Sequence, residues 1–310
     1  MRKIYIVVIS IVTIVCVIIG TVNYFNGGVF WGEDEYCEYS VSESDGGSEL
    51  AQFDSISAQT SVMDLTVVAG DEFRLEYKVP AKSKPEIYVE GGVLVVKQEG
   101  QKNGVFSFGN GLKGCRFVLT VPEGKALDRV DIVSDVGDVS LSGISAREVK
   151  AECDVGDLRM EECACDAVSV EGEVGDMDFV GCGLGNFSAV VDIGDINVEE
   201  CEAVPAYFES DTGDICLERC EFGDVTGNSD VGDVKIADCA FGNVELEVST
   251  GDVEIIADWE RIGEYGFELS TDVGSVEVDG ERMKGRYEKA GSGKGLVRVS
   301  VDVGGIVITG

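Results

Sequence analysis

The sequence predicts an all-β fold, a parallel β-solenoid (β-helix) with 19-residue rungs, preceded by an N-terminal transmembrane helix and a β-rich capping region. Three observations support the solenoid: a Gly-Asp pair recurs at a fixed interval, apolar residues alternate with polar ones after each pair, and 41 glycines stand against 4 prolines in 310 residues. Glycine adopts the backbone angles that tight turns require, and short alternating segments between such turns are typical of strands.

The Gly-Asp pair defines the repeat. It recurs at intervals of 19 residues through most of the second half of the chain, and turns at 272–275 and 302–305 continue the pattern at longer spacing. One rung this short cannot bury its own apolar face, whereas stacked rungs align equivalent residues at about 4.8 Å and bury them together. We therefore predict a solenoid of seven to nine rungs over residues 131–310.

Apolar residues form columns when the rungs are aligned. The residue after each Gly-Asp pair is Val139, Leu158, Met177, Ile196, Ile215, Val234 or Val253, and the residue two positions later is Leu141, Met160, Phe179, Val198, Leu217, Ile236 or Ile255. A second pair of columns begins at Val149 and Ala151. A spacing of two places each pair on one face of a strand and excludes a helix.

Residues 4–22 form an uncharged, mainly apolar run that follows Arg2 and Lys3. As a helix these 19 residues would be roughly 28 Å long, about the thickness of the hydrocarbon layer of a bilayer. The next basic residue is Arg74, so the positive-inside rule places residues 1–3 in the cytoplasm. We predict a single-pass cell-membrane protein whose bulk is extracytoplasmic. A cleaved signal peptide is the alternative.

Two segments separate the predicted anchor from the solenoid. Residues 23–48 are rich in glycine, serine and acidic residues and are predicted to be a linker. Residues 49–130 are predicted to be a β-rich cap over the first rung. The strands predicted there cover residues 61–68, 73–79, 86–89, 93–98 and 115–121.

The aspartates of the Gly-Asp pairs form one predicted ladder, made of Asp138, Asp157, Asp176, Asp195, Asp214, Asp233 and Asp252. A second acidic row lies three residues before it, at Asp135, Asp154, Glu173, Asp192, Asp211 and Asp230. One interpretation is that the aspartates cap the turns and are solvated. The alternative is a weak Ca²⁺ site that bridges the rungs of the first ladder, because Ca²⁺ prefers oxygen ligands. No other cofactor is expected.

Cysteine also recurs at intervals of 19, at Cys163, Cys182, Cys201, Cys220 and Cys239, in the column that Ile144 begins. The favoured interpretation is a buried ladder of small core residues. Disulfides between rungs are an alternative, although parallel neighbours point the same way and strain the required dihedral angle. A soft-metal site is a third, although a linear ladder does not supply the tetrahedral ligands of zinc.

Composition excludes several classes of function. The formal net charge is −35, so the surface repels nucleic acid and anionic headgroups. The chain has no histidine, which excludes catalytic triads that need imidazole and zinc sites that need a histidine ligand. Carboxylates that recur in every rung behave as structural positions, whereas a catalytic pair would occur once. The sequence therefore predicts that the protein is not an enzyme.

One basic cluster interrupts the acidic sequence near the C-terminus, between residues 280 and 295. It contains Arg282, Lys284, Arg286, Lys289 and Lys294. We interpret this segment as a solvated loop inserted before the last rung. The alternatives are a polar cap and a contact with the acidic ladder of another molecule.

The order of these segments resembles a known bacterial family. The run FVLTVPEG at 117–124, the run VDIVSDVGDV at 130–139, the repeated Gly-Asp turns and the closing VGGI at 303–306 are similar to those of the "putative adhesin" family, a domain of unknown function. The resemblance covers about residues 50–310 and implies a β-solenoid on a membrane-tethered or secreted bacterial protein. It implies no ligand and no catalytic residue.

These features favour a membrane-anchored extracytoplasmic scaffold that binds a protein or glycan partner at the cell surface, as an adhesion or interaction module. An envelope-stress or signalling accessory protein in a membrane complex is the alternative. A polysaccharide-active β-helix enzyme is a less favoured one. The expected partners are therefore the membrane and a protein or glycan at the surface. Nucleic acid is not expected to bind.

Overall fold

The computed structural model describes residues 36–98, 114–257 and 262–310. The predicted transmembrane helix at 4–22 lies outside the described residues. In the part of the chain that is described, no helix has the length and apolarity needed to span a bilayer.

The described residues contain 26 strands, a π-helical turn at Glu43–Gly47 and a 3₁₀ turn at Ala81–Ser83. The strands are β1 (Tyr36–Ser42), β2 (Ser55–Thr60), β3 (Asp64–Gly70), β4 (Arg74–Pro80), β5 (Glu86–Glu90), β6 (Val93–Lys97), β7 (Arg116–Pro122), β8 (Ala126–Val136), β9 (Val139–Ser142), β10 (Ser145–Val155), β11 (Leu158–Glu161), β12 (Ala164–Val174), β13 (Met177–Val180), β14 (Gly183–Ile193), β15 (Ile196–Glu199), β16 (Glu202–Thr212), β17 (Ile215–Glu218), β18 (Glu221–Phe222), β19 (Val225–Val231), β20 (Val234–Ala237), β21 (Val244–Thr250), β22 (Val253–Ile256), β23 (Gly266–Val278), β24 (Glu281–Lys289), β25 (Leu296–Val303) and β26 (Ile306–Thr309).

Each rung consists of a long strand and a short strand joined by a tight turn. In a typical rung, the long strand β12 has 11 residues and the short strand β13 has 4. Equivalent strands of successive rungs pair in parallel, so that Val168 lies between Val149 and Phe187, each 19 residues away. The 26 strands form one open, mostly parallel sheet, which confirms the predicted all-β fold with 19-residue rungs.

The predicted apolar columns face the interior. Val139, Val149 and their equivalents in later rungs are buried, and so is Ile144 at the head of the cysteine column. Aromatic rings extend this order along the core, because Phe187 makes edge-to-face contacts with Phe179 at 4.7 Å and with Phe208 at 5.5 Å. Such contacts between stacked rings add to the stabilisation from burial.

The parallel stack extends into the segment predicted to be a cap. The strand predicted at 61–68 is confirmed from Asp64 onward and is wrong for its first three residues, because Ser61 and Val62 form a bend that separates β2 from β3. The buried side chain of Gln98 explains the bend, since its Oε1 accepts the backbone N–H groups of both residues, at 3.2 and 3.0 Å. β2 then pairs with β8, and β3 pairs with β9, in parallel.

Two more strands, β6 and β7, pair in parallel with β2 and β3 and form a further rung. The long strands and the short strands therefore each form a stack of eleven parallel strands within the described residues, and β23 takes part in both stacks. The number exceeds the seven to nine rungs that the sequence predicts. At the usual strand spacing this gives a rod about 50 Å long.

Antiparallel strands close the N-terminal end of the stack. β5 pairs with β6, and β1 pairs with β4, which in turn pairs with β7. β1 lies in the segment that we predicted to be a linker, so residues 36–42 correct that expectation. The physical reason is that Cys37 and Val41 pack against the core while Tyr39 stacks on Tyr77 at 5.3 Å.

The C-terminal rungs stack in an order that differs from the chain order. β25 and β26 lie between the earlier rung, β21 and β22, and the strand β23. β24 then pairs with β23 in an antiparallel manner and ends the stack. The solvated loop predicted in this segment is therefore wrong for Glu281–Lys289, because Met283 and Tyr287 alternate with charged residues and pack against the core.

We predict that Gly175→Ala lowers the free energy of unfolding by at least about 2 kcal/mol. Gly175 has φ +146°, and a Cβ there would lie 2.0 Å from the carbonyl oxygen of Gly156 in the neighbouring rung. Urea unfolding measures the change.

Gly183→Ala is the matched control. No atom lies within 4 Å of the position of its Cβ, and the paired residue in the preceding rung is already Ala164. We expect a change within about 0.5 kcal/mol. Equal losses for the two variants would contradict the role assigned to the turn glycines.

Candidate interaction surface along the turn edge

The turns that join long and short strands stack into one edge of the solenoid. We call this column of turns the turn edge, made of residues 135–138, 154–157, 173–176, 192–195, 211–214, 230–233, 249–252, 302–305 and 272–275. Backbone hydrogen bonds connect neighbouring turns, as when the N–H of Gly156 donates to the carbonyl of Val174 at 3.0 Å. The turn-edge glycines that have positive φ have values between +137° and +156°, a range that residues other than glycine rarely adopt.

The predicted aspartate ladder lies on the turn edge and makes regular hydrogen bonds. The backbone N–H of Asp157 donates to Oδ1 of Asp138 at 3.0 Å, and that of Asp176 donates to Oδ1 of Asp157 at 3.0 Å. The same contact recurs up to Asp252, whose Oδ1 accepts the N–H of Gly305 at 2.6 Å. Each carboxylate therefore joins two rungs while its side chain stays largely at the surface.

The ladder has the geometry of turn capping, with one oxygen of each carboxylate engaged by backbone. Among the described residues, no group of three or more His, Cys, Asp or Glu side chains has an arrangement that could hold a metal ion. The Ca²⁺ bridge between Asp138 and its equivalents stays a prediction.

Sequence reasoning missed an exposed apolar ridge on the same edge. The residue between the acidic row and the glycine of each turn points into solvent, and its side chain is about half exposed at most rungs. The ridge contains Val155, Val174, Ile193, Val231, Val303 and Val273, with exposed threonines at Thr212 and Thr250. The available signal was a β-branched residue at the second position of every turn.

The ridge lies between two acidic rows. Like charges about 4.8 Å apart repel each other by roughly 0.9 kcal/mol even in bulk water, so each row concentrates negative potential along the edge. A contiguous exposed apolar surface is unusual on a monomeric protein, which makes this line of β-branched side chains a candidate contact surface. The turn edge therefore combines an apolar strip with an electrostatic preference for cations.

Near the C-terminal end, a surface groove brings the acidic ladder and the basic cluster together. Asp233 and Asp252 of the ladder line it together with Lys235, Arg282 and Lys284. This juxtaposition arises because β24 returns along the short strands of the last rungs.

The five ladder cysteines are buried free thiols. The N–H of Cys163 donates to Sγ of Cys182 at 3.3 Å, and the Sγ of Cys163 donates to the carbonyl of Glu161 at 3.3 Å. These contacts repeat along the column and support its interpretation as a core ladder. Hydrogen bonding to Cys182 and burial both raise the pKa of Cys163. Cys216, outside the column, is half-exposed.

We predict that Asp195→Asn leaves the free energy of unfolding unchanged. Asp195→Ala should lower it by about 1 kcal/mol and lower the Tm accordingly. Oδ1 of Asp195 accepts the N–H of Asp214 at 2.8 Å, and an asparagine oxygen can do the same without the charge. Melting is measured in EDTA and in CaCl₂ of equal ionic strength. A Ca²⁺-dependent rise in Tm that Asp195→Asn abolishes would instead support the Ca²⁺ bridge.

We predict that Cys153→Ser reduces the loss of stability at alkaline pH. Burial, followed by the charges of Asp138 and Asp154, raises the pKa of Cys153 from 9.0 to about 11. Between these values the unfolded thiol loses its proton while the folded thiol keeps it, so stability falls by about 1.4 kcal/mol per pH unit as pH rises. Urea unfolding from pH 8 to 11 should show a smaller fall in the variant.

Serine suits this position, because Ser134, Ser210 and Ser229 occupy the same buried column. There the hydroxyl of Ser210 donates to the carbonyl of Gly213, as the thiol of Cys153 does to that of Gly156. Identical alkaline slopes for the two proteins would contradict the prediction.

Several solved structures are similar to this chain at low sequence identity. No curated protein matches the sequence. The crystal structure of a "putative adhesin" from Parabacteroides distasonis is 13% identical, with 89% of this chain and 98% of that chain covered and a TM-score of 0.55. That of a "putative adhesin" from Bacteroides fragilis is 13% identical over 89% and 98%, with a TM-score of 0.45. That of a "putative lipid binding protein" from P. distasonis is 14% identical over 90% and 96%, with a TM-score of 0.32.

The first of these structures shares the fold. The family model described as Toastrack DUF4097 matches residues 53–309, which is most of the chain. The resemblance to the "putative adhesin" family is thereby confirmed, and the chain belongs to the Toastrack DUF4097 family.

Proposed function

We propose that this protein is a non-catalytic scaffold at the bacterial cell surface that binds an extended, cationic protein segment along its turn edge. The observation that carries the proposal is the exposed ridge of Val155, Val174, Ile193 and their equivalents between two acidic rows. In this proposal residues 4–22 anchor the chain in the cell membrane and the solenoid lies outside.

The ridge supports a partner with apolar contacts. Exposed apolar side chains recur in it at the strand spacing, so a partner strand or loop that lies along the edge would cover several of them at once. Each buried methyl or methylene group would contribute about 0.8 kcal/mol.

The acidic rows select the charge of that partner. Lysine or arginine side chains on either side of an apolar segment would meet Asp135 or Asp138 and their equivalents. Complementary charges of this kind mainly raise the association rate and the specificity, and their effect weakens with salt. An acidic glycan would be repelled, which favours protein over glycan among the expected partners.

The acidic residues recur in every rung, and this supports a non-catalytic role. Asp157, Asp176 and Asp195 have the same backbone hydrogen bond in successive rungs. A catalytic acid–base pair requires two carboxylates whose environments differ. The P. distasonis protein that shares the fold is described as a "putative adhesin", which is compatible with a binding role.

The proposal is tested with a short peptide that alternates lysine and valine, against one that alternates lysine and serine. We expect the full chain to bind the lysine–valine peptide more tightly. Val155→Thr, Val174→Thr and Ile193→Thr together should weaken that binding at least about tenfold, because three apolar contacts are lost. Threonine already stands in this column at Thr212 and Thr250, so the fold should tolerate it.

Val204→Thr is the control, since Val204 is 70% exposed and lies off the turn edge. It should leave the affinity unchanged. Equal binding of the two peptides, or no effect of the triple variant, would contradict the proposed surface. In intact cells, added protease should digest the solenoid; its protection until lysis would contradict the extracytoplasmic placement.

A further inference from the structure

We propose that the partner segment lies along the turn edge as a polyproline II helix, with every third residue packed against every second rung of the ridge. This inference rests on the binding function proposed above and specifies the conformation and the residue spacing of the partner. The observation that carries it is the order in which valine, isoleucine and threonine follow one another along the ridge.

The ridge residues are direct neighbours in the stack, because each is paired in parallel with the next. In stacking order they are Val155, Val174, Ile193, Thr212, Val231, Thr250, Val303 and Val273. Their spacing is therefore that of the strands, about 4.8 Å, and residues two rungs apart are separated by about 9.6 Å.

Every second rung of the ridge carries an apolar residue without interruption. We call these four residues the apolar line, made of Val155, Ile193, Val231 and Val303. Their exposed fractions lie between 46% and 54%. The alternate rungs contain both ridge threonines, Thr212 and Thr250. A partner that contacts every second rung can therefore meet four apolar side chains in succession.

A polyproline II helix matches the interval of the apolar line. It rises about 3.1 Å per residue with about three residues per turn, so side chains on one face recur at about 9.3 Å. Over the whole apolar line the mismatch with the rungs adds up to only about 1 Å. Side chains on one face recur at about 6.7 Å in a β-strand and at about 5.4 Å in an α-helix. Neither interval is a multiple of the rung spacing.

The other residues of such a helix project toward the two acidic rows. With about three residues per turn, side chains point about 120° apart, so that when one faces the ridge the other two lie on either side of it. Asp138 and its equivalents use Oδ1 to accept a backbone N–H, which leaves Oδ2 available to a lysine or arginine.

Both acidic rows are open to cations from a partner. Among the described residues, the aspartates that form ion pairs with lysine or arginine are Asp128, Asp131 and Asp178, and none of them lies on the turn edge. The charges of the rows are therefore not neutralised by pairing within the described part of the chain. Lysine or arginine at the two positions between the apolar residues would supply the complementary charge.

The backbone of the turn edge does not favour an added strand. The N–H groups of Gly156 and Asp157 donate within the stack, to the carbonyl of Val174 and to Oδ1 of Asp138. The same contacts recur in the following turns. Strand addition needs a row of free backbone groups, which these N–H groups do not provide. A polyproline II helix needs none, because its backbone stays solvated.

The inferred partner is thus a basic segment with an apolar residue at every third position. Proline between these positions would hold the segment in the bound conformation before binding, so that less conformational entropy is lost on association.

The test compares two twelve-residue peptides of one composition, four valines and eight lysines, by fluorescence anisotropy with the full chain in non-ionic detergent. The first peptide repeats Val-Lys-Lys four times. The second begins with four Val-Lys pairs and ends with four lysines. We expect the first to bind about tenfold more tightly, because its valines reach the whole apolar line at once. Equal binding, or tighter binding of the second peptide, would overturn the inference.

Val155→Thr with Val231→Thr removes two residues of the apolar line and should weaken binding of the first peptide about tenfold. Val174→Thr with Val273→Thr is the matched control, since it makes the same changes in the same ridge on alternate rungs. It should leave the affinity unchanged. The unfolding temperature of each variant verifies that it is folded.

Failure of this inference is distinguishable from failure of the proposed function. If neither lysine–valine peptide binds more tightly than a lysine–serine peptide, both the binding surface and the inference are overturned. If the peptides bind but the two double variants have equal effects, the turn edge remains a binding surface and only the polyproline II register is overturned.

Discussion

The contact on which the rest of this structure depends is the close approach of turn backbones in successive rungs. A Cβ on the turn glycines would lie between 1.8 and 2.4 Å from a carbonyl of the neighbouring rung, so no other residue fits without moving the stack. The turns must therefore lie in register, and this register sets the pairing of the strands on either side. From Gly137 to Gly251 this register is kept by a constant repeat of 19 residues, whereas the turn of Gly304 stacks on that of Gly251 although β23 and β24 lie between them in the chain.

Because the rungs stack in register, residues at the same position of successive rungs form a column and have the same surroundings. Columns that point inward are apolar, and they include the buried cysteines, for which the small volume and low polarity of the thiol suit a tightly stacked position. In the columns that point outward, the residue type needed by the turn recurs from rung to rung. The aspartates gain a backbone hydrogen bond in each rung, and this contact offsets the repulsion between neighbours. The apolar ridge makes no comparable hydrogen bond; β-branched residues are favoured in its paired strands, and it is their exposure in a continuous line that supports the proposed binding role.

The ends of the stack differ from its interior because the repeat cannot continue there. Antiparallel strands replace parallel ones at both ends, and their inward residues remain half-buried. β24 is basic in a protein whose net charge is −35, so its composition follows its position and not the general trend of the chain.

The sequence alone determined the rungs between Asp138 and Asp252, their parallel register, the buried columns and the position of the aspartates, because an unbroken period leaves one way to align equivalent residues. Only the tertiary structure decided the rest. The insertion of β25 and β26 before β23 depends on competition between distant strands whose local patterns are alike. The bend at Ser61 depends on Gln98, a contact between residues 37 positions apart. Exposure of the ridge likewise follows from the direction in which the stacked turns face, and a linear pattern does not contain that direction.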